Sequence, residues 1–253
     1  MQNIQVSVII PAYNCAKYIT QALDSALEQE EVNLEVIIIN DCSPDQIDTV
    51  LEPYLEDDRI RYVHNEKNLG VAQTRNKGVS LAKGEYVAFL DADDWWSRDK
   101  LKRQISLLNE TGDVLCATAR ELFDEQGNSM GKVIPVKETI AYQRILYHNM
   151  INCSSVVLKR EIALEFPMEC EGIHEDYLTW IRILKKYKKA CAINEPMLKY
   201  RFSAGSKSGN KLKSAKMTYF VYKEAGFHSL AACYYFVFYA LHGLMKYRGI
   251  PLK

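Results

Sequence analysis

The chain has 253 residues, of which 32 are basic and 32 acidic, and 48% are hydrophobic. That length suits one domain with an additional region, and the composition excludes disordered and fibrous classes. Seven scattered cysteines without a Cys-x-x-Cys pair point away from a disulfide scaffold or zinc site and towards a reducing compartment. No uninterrupted apolar run reaches the length of a membrane span, and the N-terminus enters a strand at once, so neither a spanning helix nor a signal peptide is expected. The expected location is the cytoplasm, including the inner face of the cell membrane.

The first predicted strand, Val6-Ser7-Val8-Ile9-Ile10, ends at Pro11-Ala12-Tyr13-Asn14. Tyr18, Ile19, Ala22, Leu23, Ala26 and Leu27 then recur at helical spacing. A second strand, Leu34 to Ile39, runs into Asn40-Asp41-Cys42-Ser43-Pro44-Asp45. A helical pattern through Ile47, Val50, Leu51 and Leu55 follows, with Asp45 as its expected N-cap. The short strand Ile60 to Val63, a loop from Asn65 to Leu69 and a helix from about Gly70 to Ala82 come next. Tyr86 to Leu90 is a continuous apolar run, as a buried central strand should be. This alternation predicts an α/β fold with a mostly parallel, doubly wound sheet, its polar loops gathered on one rim.

The last of those strands runs straight into Asp91-Ala92-Asp93-Asp94. Ligands sit at the carboxyl ends of strands in open α/β sheets. Crowded carboxylates repel one another, and a hard cation such as Mg²⁺ or Mn²⁺ relieves that while keeping water and phosphate ligands. The bland alternative is a polar loop capping the next helix through Asp94 or Ser97. Neither a Gly-x-Gly-x-x-Gly nor a Gly-x-x-x-x-Gly-Lys loop is present, which disfavours dinucleotide oxidoreductases and P-loop ATPases.

Farther on, His174-Glu175-Asp176 opens a helical pattern that runs from Tyr177 to Tyr187. Acids at a helix start are favoured by the dipole. From about Leu212 the pattern becomes helical, aromatic and basic, with an apolar stretch from Leu230 to Leu244. From Lys185 onward there are 14 Lys and Arg against Glu195 and Glu224, whereas the preceding part holds 18 basic and 30 acidic residues. Such asymmetry predicts an anionic partner for the C-terminal part. No nucleic-acid motif is present, so an anionic membrane surface is the better match. The competing expectation is a helix that packs on the catalytic domain or on the second subunit of a homodimer.

These segments together resemble the inverting glycosyltransferases of family two, which carry the A-type, nucleotide-diphosphosugar transferase fold. The resemblance rests on Val6 to Asn14, Asn40 to Asp45, Asn68-Leu69-Gly70 with Ala72, and Arg75-Asn76-Lys77-Gly78. It continues through Gly84-Glu85-Tyr86, Leu90 to Asp94, His174-Glu175-Asp176, and Tyr200-Arg201 with Ser206 and Ser208. It implies a catalytic domain over residues 1–211, with a nucleotide-binding half at 1–118 and an acceptor half at 119–211. Residues 212–253 would form a helical C-terminal appendage. The implied activity is metal-dependent, inverting transfer of a sugar from a nucleotide-diphosphate donor, with UDP expected, to a glycan or lipid-linked acceptor in bacterial surface polysaccharide assembly.

By the same resemblance, Pro11 and Tyr13 would line the base, with Tyr13 stacking on it. Asp41 would accept from the uracil imide. Arg75 would reach the uracil edge or a phosphate, Asp91 would hold the ribose, and Asp93 would bind Mn²⁺ or Mg²⁺. Asp176 would be the general base, with Glu175 orienting the site or binding acceptor. Arg201, Ser206, Lys207 and Ser208 would form a flexible segment closing over the diphosphate. This chain departs from the family pattern at Asn40 and Cys42, which replace an acid and a glycine, and at Ser203, where a metal-ligating histidine is frequent. Glycine permits backbone angles that cysteine resists, so the shape of the loop at Cys42 is open. The rival readings are a non-catalytic nucleotide-sugar binder and a nucleotidyltransferase of related fold.

Overall fold

The structure is a computed structural model that describes residues 4–170, 172–202 and 211–246. Its first half alternates strand and helix: β1 (Val6–Ala12), α1 (Ile19–Leu27), β2 (Leu34–Asn40), α2 (Ile47–Leu51), β3 (Ile60–His64), α3 (Val71–Leu81) and β4 (Tyr86–Phe89). β5 (Trp95–Trp96), α4 (Lys100–Thr111), β6 (Leu115–Phe123), β7 (Ser129–Ile134) and β8 (Thr139–Ala141) follow. Next come α5 (Tyr142–Tyr147), β9 (Val157–Lys159), α6 (Arg160–Glu165), α7 (Glu175–Tyr187) and β10 (Lys189–Arg201). The described chain ends in α8 (Lys211–Glu224) and α9 (Ser229–Lys246).

The strands form one sheet in the order β3-β2-β1-β4-β9-β6-β10-β5, with β7 on β6 and β8 on β10. β3, β2, β1 and β4 are mutually parallel, so their carboxyl ends share one rim. β9 runs antiparallel between β4 and β6, and β6 and β10 are parallel. Side chains on a strand alternate between faces, and here both faces are covered. Ile9, Ile37 and Ile39 enter the core that includes residues of α3 and α7. Val8, Ile10, Val36 and Ile38 enter the opposite core, which includes residues of α1, α2 and α4. Continuous apolar strands are the sequence consequence of that two-sided burial.

Gly78 carries α3 against β1, because a Cβ there would collide with Ile9. One expectation needs correction. The second helix stops at Leu51 and gives way to a tight turn over Glu52–Tyr54, where Pro53 supplies no amide hydrogen; Leu55 is left exposed. Trp95 and Trp96, which follow the acidic loop, form a short strand antiparallel to β10.

The C-terminal helices close on α5 and α7. Tyr222 of α8 and Tyr177 of α7 share a hydroxyl contact at 3.0 Å, and each also donates to a carbonyl near the end of α5, Leu146 and Ile145 respectively. The chain then turns and returns as α9, with Tyr235 against Tyr222 and Phe236 against Tyr219. Among the described residues no helix is long and apolar enough to cross a membrane.

Candidate active site

The rim above β1, β2 and β4 collects the residues singled out from the sequence. Tyr13 follows β1 and is 52% exposed, with its ring open to a flat ligand. Pro11 sits two residues earlier, partly buried and paired with Ile39. The loops after β1 and β2 are tied together. The Asn14 amide donates to the Ser43 hydroxyl at 2.7 Å, and the Ala16 amide donates to Asp45 at 2.7 Å. Asp45 therefore clamps two loops instead of capping α2, whose N-cap is Gln46. Hydrogen bonds from Ser43 and from Ala16 hold its carboxyl below the ordinary range despite the opposing effect of burial.

Cys42 has φ of 57°, in the left-handed region. The loop thus keeps a conformation suited to glycine and forces it on a side-chain-bearing residue. Next to it, Asp41 is buried and bonded through both carboxylate oxygens. One carboxylate oxygen accepts from Asn65 at 2.8 Å and from the Leu69 amide at 2.8 Å; the other accepts from the Gly70 amide at 2.9 Å. Asp41 thereby fixes the segment entering α3, where Gly70 takes φ of 83°.

α3 delivers Arg75 into the interior, 4% exposed. Its guanidinium bridges Asp91 at 2.5 Å and Glu175 at 3.1 Å. Burial opposes its charge, but Asp91 and Glu175 outweigh that and hold its proton more firmly than in water. Arg75 thus faces two protein carboxylates. Asn76 makes a two-point clamp on the Met168 backbone, and Lys77 binds His64 O and Asn65, so both serve packing of the same wall.

The acidic loop lies between Arg75 and Arg201. The Asp91 amide donates to the Ser154 hydroxyl at 3.1 Å, and its partly exposed carboxylate receives Arg75. Burial and the Asp91 charge push the Asp93 carboxyl up to about 6, against the opposing pull of Arg201 and Arg75. Asp94 is buried and accepts the Arg201 amide at 3.0 Å through one oxygen; burial and the charges of Asp93 and Asp91 raise its pKa strongly. Asp94 is therefore a bracket between the loop and β10, not a helix cap.

Arg201 is corrected from a loose, closing segment to the last residue of a strand. Its guanidinium is sandwiched 4.7 Å from the Tyr18 ring and 4.9 Å from the Trp95 ring. It donates to Asp93 O at 3.0 Å, Glu125 O at 2.9 Å and Gln21 at 2.5 Å. Ser203, Ser206, Lys207 and Ser208 lie outside the described residues.

Asp176 occupies the first turn of α7, next to Glu175. Burial, then the Glu175 charge, raises its pKa, while Arg75 and His174 pull the other way. The Arg75 bridge thus joins the acidic loop to the acids of α7. His174 is held by Ser214 of α8 at 3.0 Å, a structural contact.

Three contributors carried no sequence signal. Ser154 anchors both the Asp91 amide and, through its carbonyl, the Trp96 indole at 2.7 Å. Gln21 fixes Arg201. Lys100 lies fully buried with its amine 4.0 Å from the Trp96 ring and no hydrogen-bond partner among the described residues; burial lowers its pKa to about 7.

The rim of the parallel half of the sheet thus gathers an open aromatic ring, a crowded carboxylate loop and a second acid pair across a buried arginine. The profile of "Glycosyl transferase family 2" matches residues 7–165, and the chain belongs to that family. Putative teichuronic acid biosynthesis glycosyltransferase TuaG of Bacillus subtilis is 38% identical over 243 residues, 95% of this chain and 96% of that protein. UDP-Glc:alpha-D-GlcNAc-diphosphoundecaprenol beta-1,3-glucosyltransferase WfaP of Escherichia coli is 35% identical over 246 residues, 96% of this chain and 95% of that protein. Among solved structures, S. aureus TarS 1-349 in complex with UDP-GlcNAc superposes with a TM-score of 0.71 at 21% identity, over 98% of this chain and 77% of that one. That likeness establishes the fold.

Proposed function

We propose that this glycosyltransferase moves one sugar from a UDP-linked donor to a hydroxyl of a lipid-linked glycan during surface polysaccharide assembly, with inversion at the anomeric carbon. The observation that carries it is the Arg75 bridge, which joins Asp91 at the end of β4 to Glu175, the neighbour of Asp176. Support for UDP and for the acceptor comes from WfaP, whose name specifies UDP-Glc and a diphosphoundecaprenol acceptor, and from the UDP-GlcNAc complex of TarS. TuaG supports a place in polysaccharide synthesis.

In this reading Tyr13 stacks on the base, beside Pro11, and Asp41 meets the imide through the one lone pair left on the oxygen that accepts Gly70. Asp91 takes the ribose, with its other oxygen held by Arg75. The excess negative charge at Asp93 fits a divalent cation, Mn²⁺ or Mg²⁺, held by Asp93 with Asp91 beside it. Among the described residues no group of three or more His, Cys, Asp or Glu could hold a metal ion. An ion at Asp93 would take its remaining ligands from water and donor phosphate. When bound, such an ion neutralises charge on the departing diphosphate. Asp176 accepts the proton of the acceptor hydroxyl as that oxygen attacks from the face opposite the diphosphate. Its raised proton affinity makes it the stronger base. Arg201, fixed behind Asp93, adds positive charge to that corner of the site without moving. An anionic membrane at the C-terminal region, and pairing of two chains, belong to the same reading.

The test is an assay with UDP-sugars and a short-chain GlcNAc-diphospholipid, reading UDP release and product stereochemistry. UDP release with inversion is expected. Pyrophosphate release would instead indicate a nucleotidyltransferase, and binding without turnover a non-catalytic module.

A further inference from the structure

A groove of about 390 Å³ lies between α1 and the edge strand β5. That volume falls within the range of small-molecule sites, about 300–1,000 Å³. Neither Tyr13 nor any of Asp41, Asp91, Asp93 and Asp176 lines it. α1 supplies one wall. Its Ile19, Ala22, Leu23 and Ala26 are buried, while Gln21, Asp24, Ser25 and Glu28 recur at helical spacing on the other face and line the groove. Trp95, half-buried, supplies the opposite wall with Ser97 and Arg98. Ser25 joins the two walls by accepting the Trp96 amide at 3.1 Å.

The lining selects the occupant. It carries no aliphatic side chain among the described residues, so it does not suit a lipid tail. Its one cation, Arg98, is already held by Glu28 at 3.1 Å, so a phosphate finds no free partner there. Two carboxylates against one cation also disfavour any anionic ligand. What is left over is hydrogen-bonding capacity of both kinds. Gln21 gives its oxygen to Arg201 and keeps its amide hydrogens. Asp24 accepts the Tyr54 hydroxyl at 2.8 Å through one oxygen, and Glu28 holds Arg98 through one oxygen. Among the described residues the other oxygen of each has no hydrogen-bond partner. Carboxylates and an amide meet hydroxyl groups, and a tryptophan ring covers C–H surface. A sugar presents both.

We propose that the groove between α1 and β5 is a second saccharide site, which takes an uncharged sugar unit against Trp95, with Gln21, Asp24 and Glu28 on its hydroxyls. The site adjoins the carboxylate loop through one shared wall. Gln21 and Trp95 both hold Arg201, and Arg201 donates to Asp93 O at 3.0 Å. The proposal stands on the groove's own residues and goes beyond the transfer reaction proposed above.

The test is fluorine NMR of the full chain with fluorotryptophan at its three tryptophans. Methyl glucoside, cellobiose and N,N′-diacetylchitobiose are titrated as neutral probes, with glucuronic acid as the charged comparison. At least one neutral probe should shift the Trp95 resonance in a saturable way. Trp180, fully buried in the other core, should not move. Asp24→Ala with Glu28→Ala, both exposed, should weaken that binding at least tenfold, with circular dichroism and the Trp180 resonance unchanged. No shift with any probe assigns the groove to a solvated helix face and overturns the proposal. Unchanged affinity in the double variant places the sugar elsewhere and overturns it too. Glucuronic acid bound as tightly as methyl glucoside does the same, because the lining would then not select against charge. The titration needs neither donor nor turnover, so failure of UDP-sugar transfer leaves its result standing by itself.

Discussion

Arg75 and Glu175 lie 100 residues apart in sequence and 3.1 Å apart in space, and the same guanidinium holds Asp91. A helix of the first half and a helix of the second are thereby joined through one buried cation. Removing one member of such a pair leaves an uncompensated buried charge, at a cost of about 3–5 kcal/mol. Arg75→Met should therefore destabilise strongly, and Arg75→Lys should not restore two bonds from one planar group. Arg75→Met combined with Glu175→Met should cost less than the sum of the two single changes. Denaturant melts of all three variants in a double-mutant cycle measure this, and strict additivity would refute the coupling.

Asp176→Asn keeps shape and removes the base. UDP binding should persist while transfer falls by roughly 10²-fold or more. Because burial and Glu175 raise the Asp176 pKa, the wild-type rate should decline, as pH drops, above the range of an exposed aspartate. The sign follows from the role, since only the ionised form accepts a proton. Rate–pH profiles of both proteins settle it: the acid limb should vanish with the carboxylate.

Asp93→Ala should abolish most of the cation-dependent part of UDP affinity, because the diphosphate charge loses its bridge. Calorimetric titration with and without Mn²⁺ reads the difference. An unchanged metal increment would place the cation elsewhere.

Lys100 offers a prediction about stability alone. Its folded pKa, lowered to about 7, lies below that of an exposed lysine, near 10.4. Between those values the unfolded chain binds the extra proton, so this group makes stability rise with pH across that window. The penalty is greatest below pH 7 and is gone above the unfolded pKa. Lys100→Met should stabilise the protein at pH 7 by an amount on the order of 4 kcal/mol at most, reduced by loss of the Trp96 ring contact. The gain should shrink towards pH 10, as thermal melts across that range would show.

The parallel half of the sheet was legible because two-sided burial writes itself as unbroken apolar strands, such as Leu34 to Ile39. The rim was legible because strand ends and polar loops alternate visibly. Partners across the chain were not. Nothing in the sequence near Arg75 distinguishes an arginine that meets a nucleotide from one sealed by Asp91 and Glu175. Asp45 has the composition of a helix cap, yet the Ala16 amide captures it from another loop. Trp95 and Trp96 were too short a run to read as a strand without knowing that β10 would arrive beside them. Cys42 is the converse case: the residue type argued against a left-handed turn, and the hydrogen bond from the Ser43 amide to Asn40, at 2.8 Å, is part of the loop that imposes it.

Arg201 has a consequence for how the rim comes into being. It fastens Asp93, 108 residues earlier, and Gln21, 180 residues earlier, yet it is the last residue of the last strand. Contacts of such separation form late, because the intervening chain must first be closed. During synthesis the carboxylate loop therefore stays unfastened until residue 201 has emerged from the ribosome. Severed from β10, residues 1–118 would keep the β1-to-β4 alternation but lose the antiparallel partner of Trp95–Trp96 and the clamp on Asp93 together.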